Sequence, residues 1–390
     1  MKLTPLITCV FAGFFALSSQ GADRPNIVYI LADDLGYGDL SCYGQQHFTT
    51  PNIDRLAAEG LRFTQHYSGS TVCAPTRAVL MTGLHTGHSP VRGNREIKPV
   101  GQSPMPDDVV TLPRILRKAG YVTGMFGKWG LGAPGSVSEP MEHFDRFFGY
   151  NCQRNAHTYY PTWLFDDREK ITLDGETYSH DVIHAEAMNF VRENKDKPFF
   201  LYYPTAIPHA AMHVPATYHD KYREQFKQFE GTIGKYAGPK VDNPVAAFAG
   251  MMDKMDEDVG ALIELLKELK LSDNTIVFFT SDNGPHKEGG HKPDFFDSNG
   301  PLKGHKRSLT EGGIRAPLIA WWPGRVAAGT TTDHISAHWD LVETVCDLAG
   351  IKAPKTDGIS MVPTLLANGT QRQHEYLYWE FYEGGGKKAA

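Results

Sequence analysis

Short apolar runs that end in polar or charged residues recur along this chain. Residues 26–31 (Asn-Ile-Val-Tyr-Ile-Leu) show almost no polar alternation, the pattern of a strand buried on both faces. That run leads into Ala32-Asp33-Asp34. Residues 121–126 end at Gly127-Lys128, residues 199–203 lead into the loop carrying His209, and residues 275–280 stop at Ser281-Asp282-Asn283-Gly284. Helical patterns fill the intervals. Residues 52–60 follow Pro51 and close on Gly60, and residues 109–119 close on Gly120. The longest pattern, 246–270, places Val259, Leu262, Ile263, Leu266 and Leu269 on one face. This alternation predicts an α/β fold. Ligands of open α/β sheets gather at the carboxyl ends of the strands, so the four polar loops are expected to converge on one site.

Other segments carry less pattern. Residues 146–181 are polar and aromatic with little periodicity, which suggests an insertion over a site, and residues 221–243 are weakly periodic. Residues 376–381 are strand-like, and the Gly-Lys-Ala tail from Gly384 has the composition of a flexible segment. At the start, Lys2 precedes an apolar stretch at 6–17 and then small and polar residues at 18–22. These are the three zones of a secretory signal, so residues 1–22 are expected to direct export to the periplasm or beyond. That stretch is short for a membrane span and no other segment is long and apolar enough, so no span is expected.

Composition adds two constraints. With 390 residues, 41% apolar and 22% charged, the chain is ordinary for a globular protein, and its net charge of −6 argues against non-specific nucleic-acid binding. Beyond the signal lie Cys42, Cys73, Cys152 and Cys346, too few for a disulfide scaffold in so long a chain. If Cys73 has a chemical role, at most one pair remains.

Cys73-Ala74-Pro75-Thr76-Arg77, continued by Ala78-Val79-Leu80-Met81-Thr82-Gly83, carries the strongest signal. A lone cysteine is usually a small buried hydrophobe or half of a disulfide. This Cys-x-Pro-x-Arg motif instead resembles the signature of the sulfatase family, in which the cysteine is oxidised to formylglycine. The resemblance runs from Arg24 to about Phe381. It implies an alkaline-phosphatase-like large domain, a central mostly parallel sheet between helices, over residues 23–370. It also implies a small C-terminal domain, of which residues 371–390 would be the truncated start.

The resemblance assigns roles to further residues. A covalent route splits hydrolysis of a resistant sulfate ester into two easier steps. Cys73, as formylglycine, would be the nucleophile, with Arg77 pairing with and orienting it. Asp33, Asp34, Asp282 and Asn283 supply hard oxygens suited to Ca²⁺ or Mg²⁺, and with the residue at Cys73 they match the family's Ca²⁺ ligands, so Ca²⁺ is preferred. Lys128, in Gly-Lys-Trp-Gly-Leu-Gly, and Lys306, ahead of Glu311-Gly312-Gly313-Ile314-Arg315, match lysines that hold sulfate oxygens. His209 matches the histidine near the leaving oxygen. The chain departs from the family at Gly130, where a histidine is common. His157 is the expected compensating residue, ahead of His213 and His286.

Substrate signals are thinner. Arg92, Asn94 and Arg95 could hydrogen-bond a sugar or a second anion, and Tyr159, Tyr160 and Trp163 could stack on a sugar ring or pack as a loop core. A sulfated small molecule or glycan is the expected substrate, and a formylglycine-generating or sulfatase-maturating enzyme the expected partner. Two alternatives stay open: a phosphodiester or phosphonate ester hydrolase of the same superfamily, separable by parallel rates on aryl sulfate and phosphodiester, and a non-catalytic binder of sulfated glycan.

Overall fold

The computed structural model describes residues 24–383 and 386–390. The secretory segment at 1–22 lies outside them. Its frame is an 11-stranded sheet. In chain order the strands are β1 (Asn26–Ala32), β2 (Leu61–Tyr67), β3 (Val122–Lys128), β4 (Arg146–Tyr150), β5 (Trp163–Asp166), β6 (Glu169–Thr172) and β7 (Phe199–Pro204). A separate hairpin, β8 (Ile233–Gly234) with β9 (Val241–Asp242), follows, and then β10 (Thr275–Ser281), β11 (Arg315–Trp321), β12 (Thr330–Thr332) and β13 (Ser336–Ala337). Across the large sheet the order is β12-β2-β11-β10-β1-β7-β3-β4-β5-β6, with β13 also on β2.

The centre is parallel: β1 pairs with β10 on one side and β7 on the other, and β7 pairs with β3. Both faces are covered, which is why these strands are apolar without alternation. Val28 and Ile30 of β1 face a cluster with Val245, Phe248, Val259 and Leu262 of the long helix Pro244–Glu268. Ile27, Tyr29 and Leu31 face the opposite cluster, with Ala78 and Met81 from helix Cys73–Thr82, Leu112 and Leu116 from helix Leu112–Lys118, and Val342 and Val345 from helix Asp340–Leu348. The mostly parallel sheet between helices is therefore the observed architecture.

Three segments differ from the sequence reading. Residues 146–181 do lie over the site, through Gln153, Arg154 and His157, but they are built into the sheet: β4 adds to β3 in parallel, and β5 and β6 extend the sheet as an antiparallel edge, joined through Asp167 at φ 53°. The period-two signal is weak there because β6 faces solvent on most positions. The helix expected at 109–119 begins at Leu112, after an extended Thr111 and with Pro113 in its first turn. The tail expected to be flexible contains β15 (Lys387–Ala389), which pairs antiparallel with β14 (Trp379–Phe381). That segment docks on the body: Trp379 Nε1 donates to the Ser68 carbonyl at 2.9 Å, and Glu380 N donates to Thr86 Oγ1 at 2.6 Å.

The long helix owes its start to Asn243, which is fully buried at φ 49°. Its Oδ1 accepts from Ala246 N at 3.0 Å, and its Nδ2 donates to the Phe226 carbonyl and to Glu230. Asn243→Ala removes the cap and places an alanine in a left-handed conformation. Thermal and denaturant unfolding are expected to show a loss of about 1–2 kcal/mol, with Asn243→Gly losing less.

Candidate active site

The carboxyl ends of β10, β1, β7 and β3 are neighbours in the sheet, so the loops after them share one edge. Asp33 and Asp34 leave β1, Lys128 is the last residue of β3, His209 sits in the loop after β7, and Asp282 and Asn283 leave β10. Backbone bonds stitch these loops together. Asp33 N donates to the Ile207 carbonyl and Asp282 N to the Ala32 carbonyl, each at 3.0 Å. Gly284 then passes so close to Gly312 that a Cβ would lie 1.8 Å from its carbonyl oxygen, so only glycine fits.

Cys73 is the first residue of its helix, preceded by an extended Val72. The helix takes Pro75 in its first turn because N–H groups there have no intrahelical acceptor. The Ala74 N–H finds one in Asn94 Oδ1 at 3.1 Å. Cys73 Sγ lies 3.4 Å from Asp33 Oδ1 and 3.6 Å from Lys128 Nζ. Arg77, one turn on, reaches Asp33 Oδ2 at 3.4 Å and Asp282 Oδ2 at 3.1 Å, and its other amino group donates to the Lys128 carbonyl. Lys128 is ion-paired with Asp33, and Lys306 with Asp34 at 2.7 Å. His209 Nε2 stands 3.5 Å from Asp34.

Three buried carboxylates, Asp33, Asp34 and Asp282, thus face three buried cations, Arg77, Lys128 and Lys306. Burial opposes the charge of Asp33, but Lys128, His209, Arg77 and Lys306 outweigh it and hold its carboxyl well below the usual range. Asp282 goes the other way: burial, with the neighbouring Asp33 charge, pushes it up to about 7. Burial likewise works against the charge on Lys128 and Lys306, yet Asp33 and Asp34 respectively keep both raised.

The donor set suits a hard divalent cation. One ligand atom each from Asp33, Asp34, Cys73 and His209 lie within 4.8 Å of one another. Asn283 Nδ2 donates to Asp34 Oδ1 at 2.7 Å, which leaves Asn283 Oδ1 buried with no hydrogen-bond partner. An orphaned amide oxygen beside three carboxylates is what an oxygen-coordinated ion would satisfy. A softer metal would be expected to recruit more nitrogen and sulfur.

Above this floor opens a cavity of about 330 Å³, lined by Cys73, His209 and Lys306 below and by Asn94, Gln153, His157 and Tyr236 among its walls. Burial, then Lys128 and Lys306, push His157 down to about 4, so its ring is neutral near pH 7. It stacks on His209 with centroids 5.3 Å apart and planes 6° apart. Arg92 does not line this cavity: its guanidinium binds Glu380 at 3.2 Å and the Ser89 and Gly87 carbonyls. Nor do Tyr159, Tyr160 and Trp163; the Tyr159 ring is buried, its hydroxyl donating to the Ala206 and His209 carbonyls at 2.6 Å each. Gln153 and Glu288 escaped the sequence reading. Gln153 lies in the segment taken for an insertion, and Glu288, 3.6 Å from Lys306 and 2.6 Å from Arg307, follows the Asp282-Asn283 motif by five residues but belongs to no motif itself. Among the described residues the four cysteines, Cys42, Cys73, Cys152 and Cys346, are free, so no pair forms there.

Fixed cations and a hard-cation site at the head of a buried helix define a hydrolase for anionic esters on an alkaline-phosphatase-like fold. The chain belongs to the sulfatase family and is a sulfuric ester hydrolase: the family model described as Sulfatase matches residues 25–351. Its similarity to N-acetylgalactosamine-6-sulfatase of Rattus norvegicus is 35% identity over 94% of this chain and 70% of the relative. Arylsulfatase A of Homo sapiens is 34% identical over 93% and 71%. The crystal structure of Ps i-CgsB in complex with k-i-k-neocarrahexaose superposes with a TM-score of 0.80 at 29% identity, over 94% of this chain and 81% of that one. A phosphonate monoester hydrolase of Agrobacterium radiobacter shares the fold, with a TM-score of 0.66 at 22% identity over 93% and 82%.

Asp282→Ala and Asp33→Ala are each expected to weaken Ca²⁺ binding at least tenfold, about the least that loss of a supporting group costs a metal site, as read by calorimetry and by elemental analysis of the dialysed protein. Full Ca²⁺ occupancy in either variant would reject these ligands.

Proposed function

We propose that this enzyme removes sulfate from a sulfated carbohydrate, using a formylglycine made from Cys73 and a bound Ca²⁺. The observation that carries the reading is Cys73 itself, at the floor of an open polar cavity between Asp33 and Lys128. As a thiol it is poorly placed for chemistry: burial, and then the Asp33 charge, push its pKa up, against the thiolate that a cysteine nucleophile needs. Conversion to an oxygen nucleophile resolves that conflict. A formylglycine hydrate supplies the attacking oxygen, and a bound Ca²⁺ favours its ionised form and offsets substrate charge.

The protein's own residues do the rest. Arg77, buried and held by Asp33, Asp282 and the Lys128 carbonyl, fixes the side chain at 73 from one turn away. Lys128 and Lys306 hold positive charge around the sulfuryl group as the ester's S–O bond breaks. His209 handles the proton of the leaving alcohol. Its Nδ1 donates to the Ala210 carbonyl, which can only accept, so Nε2, 3.5 Å from Asp34, is the atom that takes up the proton lost by the attacking hydroxyl and gives it to the leaving oxygen. His157, stacked on that ring, braces it.

The relatives support a glycan substrate: two are named for a sulfated amino sugar or an aryl sulfate, and a structural neighbour holds a neocarrahexaose. A cavity of about 330 Å³ with polar walls has room for a sugar unit. Cys73 is only 2% exposed, so a formylglycine-generating or sulfatase-maturating enzyme would have to act before folding completes. Residues 1–22 support export to the periplasm or the medium, with 23–370 as the catalytic domain. No helix among the described residues is long and apolar enough to cross a membrane.

Cys73→Ala is expected to abolish sulfate release with the far-ultraviolet circular dichroism unchanged, and the mass of the wild-type Cys73 peptide to show the aldehyde. Near-wild-type turnover by the variant, or a faster wild-type rate on aryl phosphodiester than on aryl sulfate, would overturn the reading. His157→Ala is expected to lower kcat about tenfold or more while KM changes less, the mark of an interaction made in the transition state; an unchanged kcat would leave His157 as a wall residue.

A further inference from the structure

Gly130 breaks the family pattern, and the structure shows what fills the gap. Its φ is +78°, a region that strains any side chain but glycine's. A Cβ built there would meet Gln153 Cγ and Nε2, each at 3.3 Å. A histidine there would be strained by the backbone and would have to push the Gln153 side chain aside, and in this chain the volume beside position 130 belongs to Gln153. Two backbone bonds bring Gln153 there. Trp129 N donates to the Tyr150 carbonyl at 2.9 Å and Gly130 N to the Asn151 carbonyl at 3.2 Å, so the chain after β4 is carried along the chain after β3.

Gln153 is 6% exposed and its Nε2 donates to Asn94 Oδ1 at 3.0 Å. The same Oδ1 accepts from Ala74 N, the amide next to Cys73, at 3.1 Å. Two N–H donors on one atom settle which end of the Asn94 amide is oxygen. They leave Nδ2 as the amide's hydrogen-bonding atom toward other groups, on a side chain that lines the cavity with Cys73. Asn94 is also held from behind, its N–H donating to Glu383 Oε1 at 2.7 Å.

We infer that Asn94 Nδ2 is a neutral hydrogen-bond donor to a substrate oxygen, and that Gln153 is a positioning residue that locks it in that orientation. This rests on the proposed sulfatase reaction and adds a contact that the family motifs do not carry. The lock exists only because position 130 has no side chain. The oxygen received belongs either to the sulfuryl group or to a hydroxyl of the sugar, and the two are separable by substrate.

A double-mutant cycle tests the inference with the matured, Ca²⁺-loaded enzyme on an aryl sulfate and on sulfated monosaccharides. Asn94→Ala is expected to lower kcat/KM roughly tenfold, the worth of about one hydrogen bond to a charged or strongly polar oxygen. Gln153→Ala should cost several-fold in the wild-type background and almost nothing when Asn94 is already alanine. Gln153→Glu, which cannot donate to Asn94 Oδ1 as a carboxylate, should lose as much as Gln153→Ala. Loss on both substrates assigns the oxygen to the sulfuryl group; loss on the sugar alone assigns it to a hydroxyl. Additive effects of the two alanine variants, or a Gln153→Glu variant of wild-type kcat/KM, would overturn the inference while leaving the sulfatase reaction standing. Absence of sulfate release by the wild-type enzyme would instead defeat the reaction itself. Melting temperatures within a few degrees of wild type confirm that each variant is folded, and the cycle is read on those alone.

Discussion

The Asp33 carboxylate is the constraint on which the site depends. It is buried beneath the cavity, where an unpaired charge is too costly to keep, and it is held ionised by Arg77 and Lys128. Those two cations are equally buried and equally dependent on it. Arg77 comes from the second turn of a buried helix, Lys128 from the end of β3 and Asp33 from the end of β1. One set of charges therefore fixes the mutual position of three elements, and removing any member would strand the others in a medium of low dielectric.

That mutual neutrality also explains how the site can serve an anionic ester. Three carboxylates largely offset three cations, while Asn283 Oδ1 has no partner and burial drives Asp282 toward protonation. A divalent cation among these oxygens would satisfy the first and reverse the second, and it would turn the floor net positive. The lysines and such a cation would then bear on the same sulfuryl group, with His157 and His209 kept neutral chiefly by burial and secondarily by those lysines.

The sheet supplies the rigidity that such charges need. β1 is hydrogen-bonded along its length on both sides, and helices cover both faces, so the residues that leave it inherit a fixed origin. The cavity walls come from elsewhere. Asn94, Gln153, His157 and Tyr236 line the cavity from loops and a short turn, where sequence can vary without disturbing the central strands. The exchange at position 130 illustrates this: the Lys128-Trp129 frame is kept, and a neighbouring loop takes the vacated space.

Much of this was legible in the chain. The buried strands were marked by unbroken apolar runs, because a strand covered on both faces needs apolar residues at every position. The chemistry was marked by motifs, because Cys73 and Arg77 stand one helical turn apart and Asp33-Asp34 and Asp282-Asn283 each follow a strand directly. Local spacing is enough to specify such relations. What the sequence left open were contacts between residues far apart in it. The strands β4 to β6 looked like an insertion, since β4 and β5 are short runs of five and four residues and β6, at the edge, is mostly exposed. Arg92, plausible as a substrate ligand, is drawn instead to Glu380, a residue on β14. Gln153 carried no signal, because its partners are an absent side chain at 130 and an amide at 94. Periodicity and motif spacing record what a residue does with its near neighbours in the chain; only the folded structure decides which distant side chains share a volume.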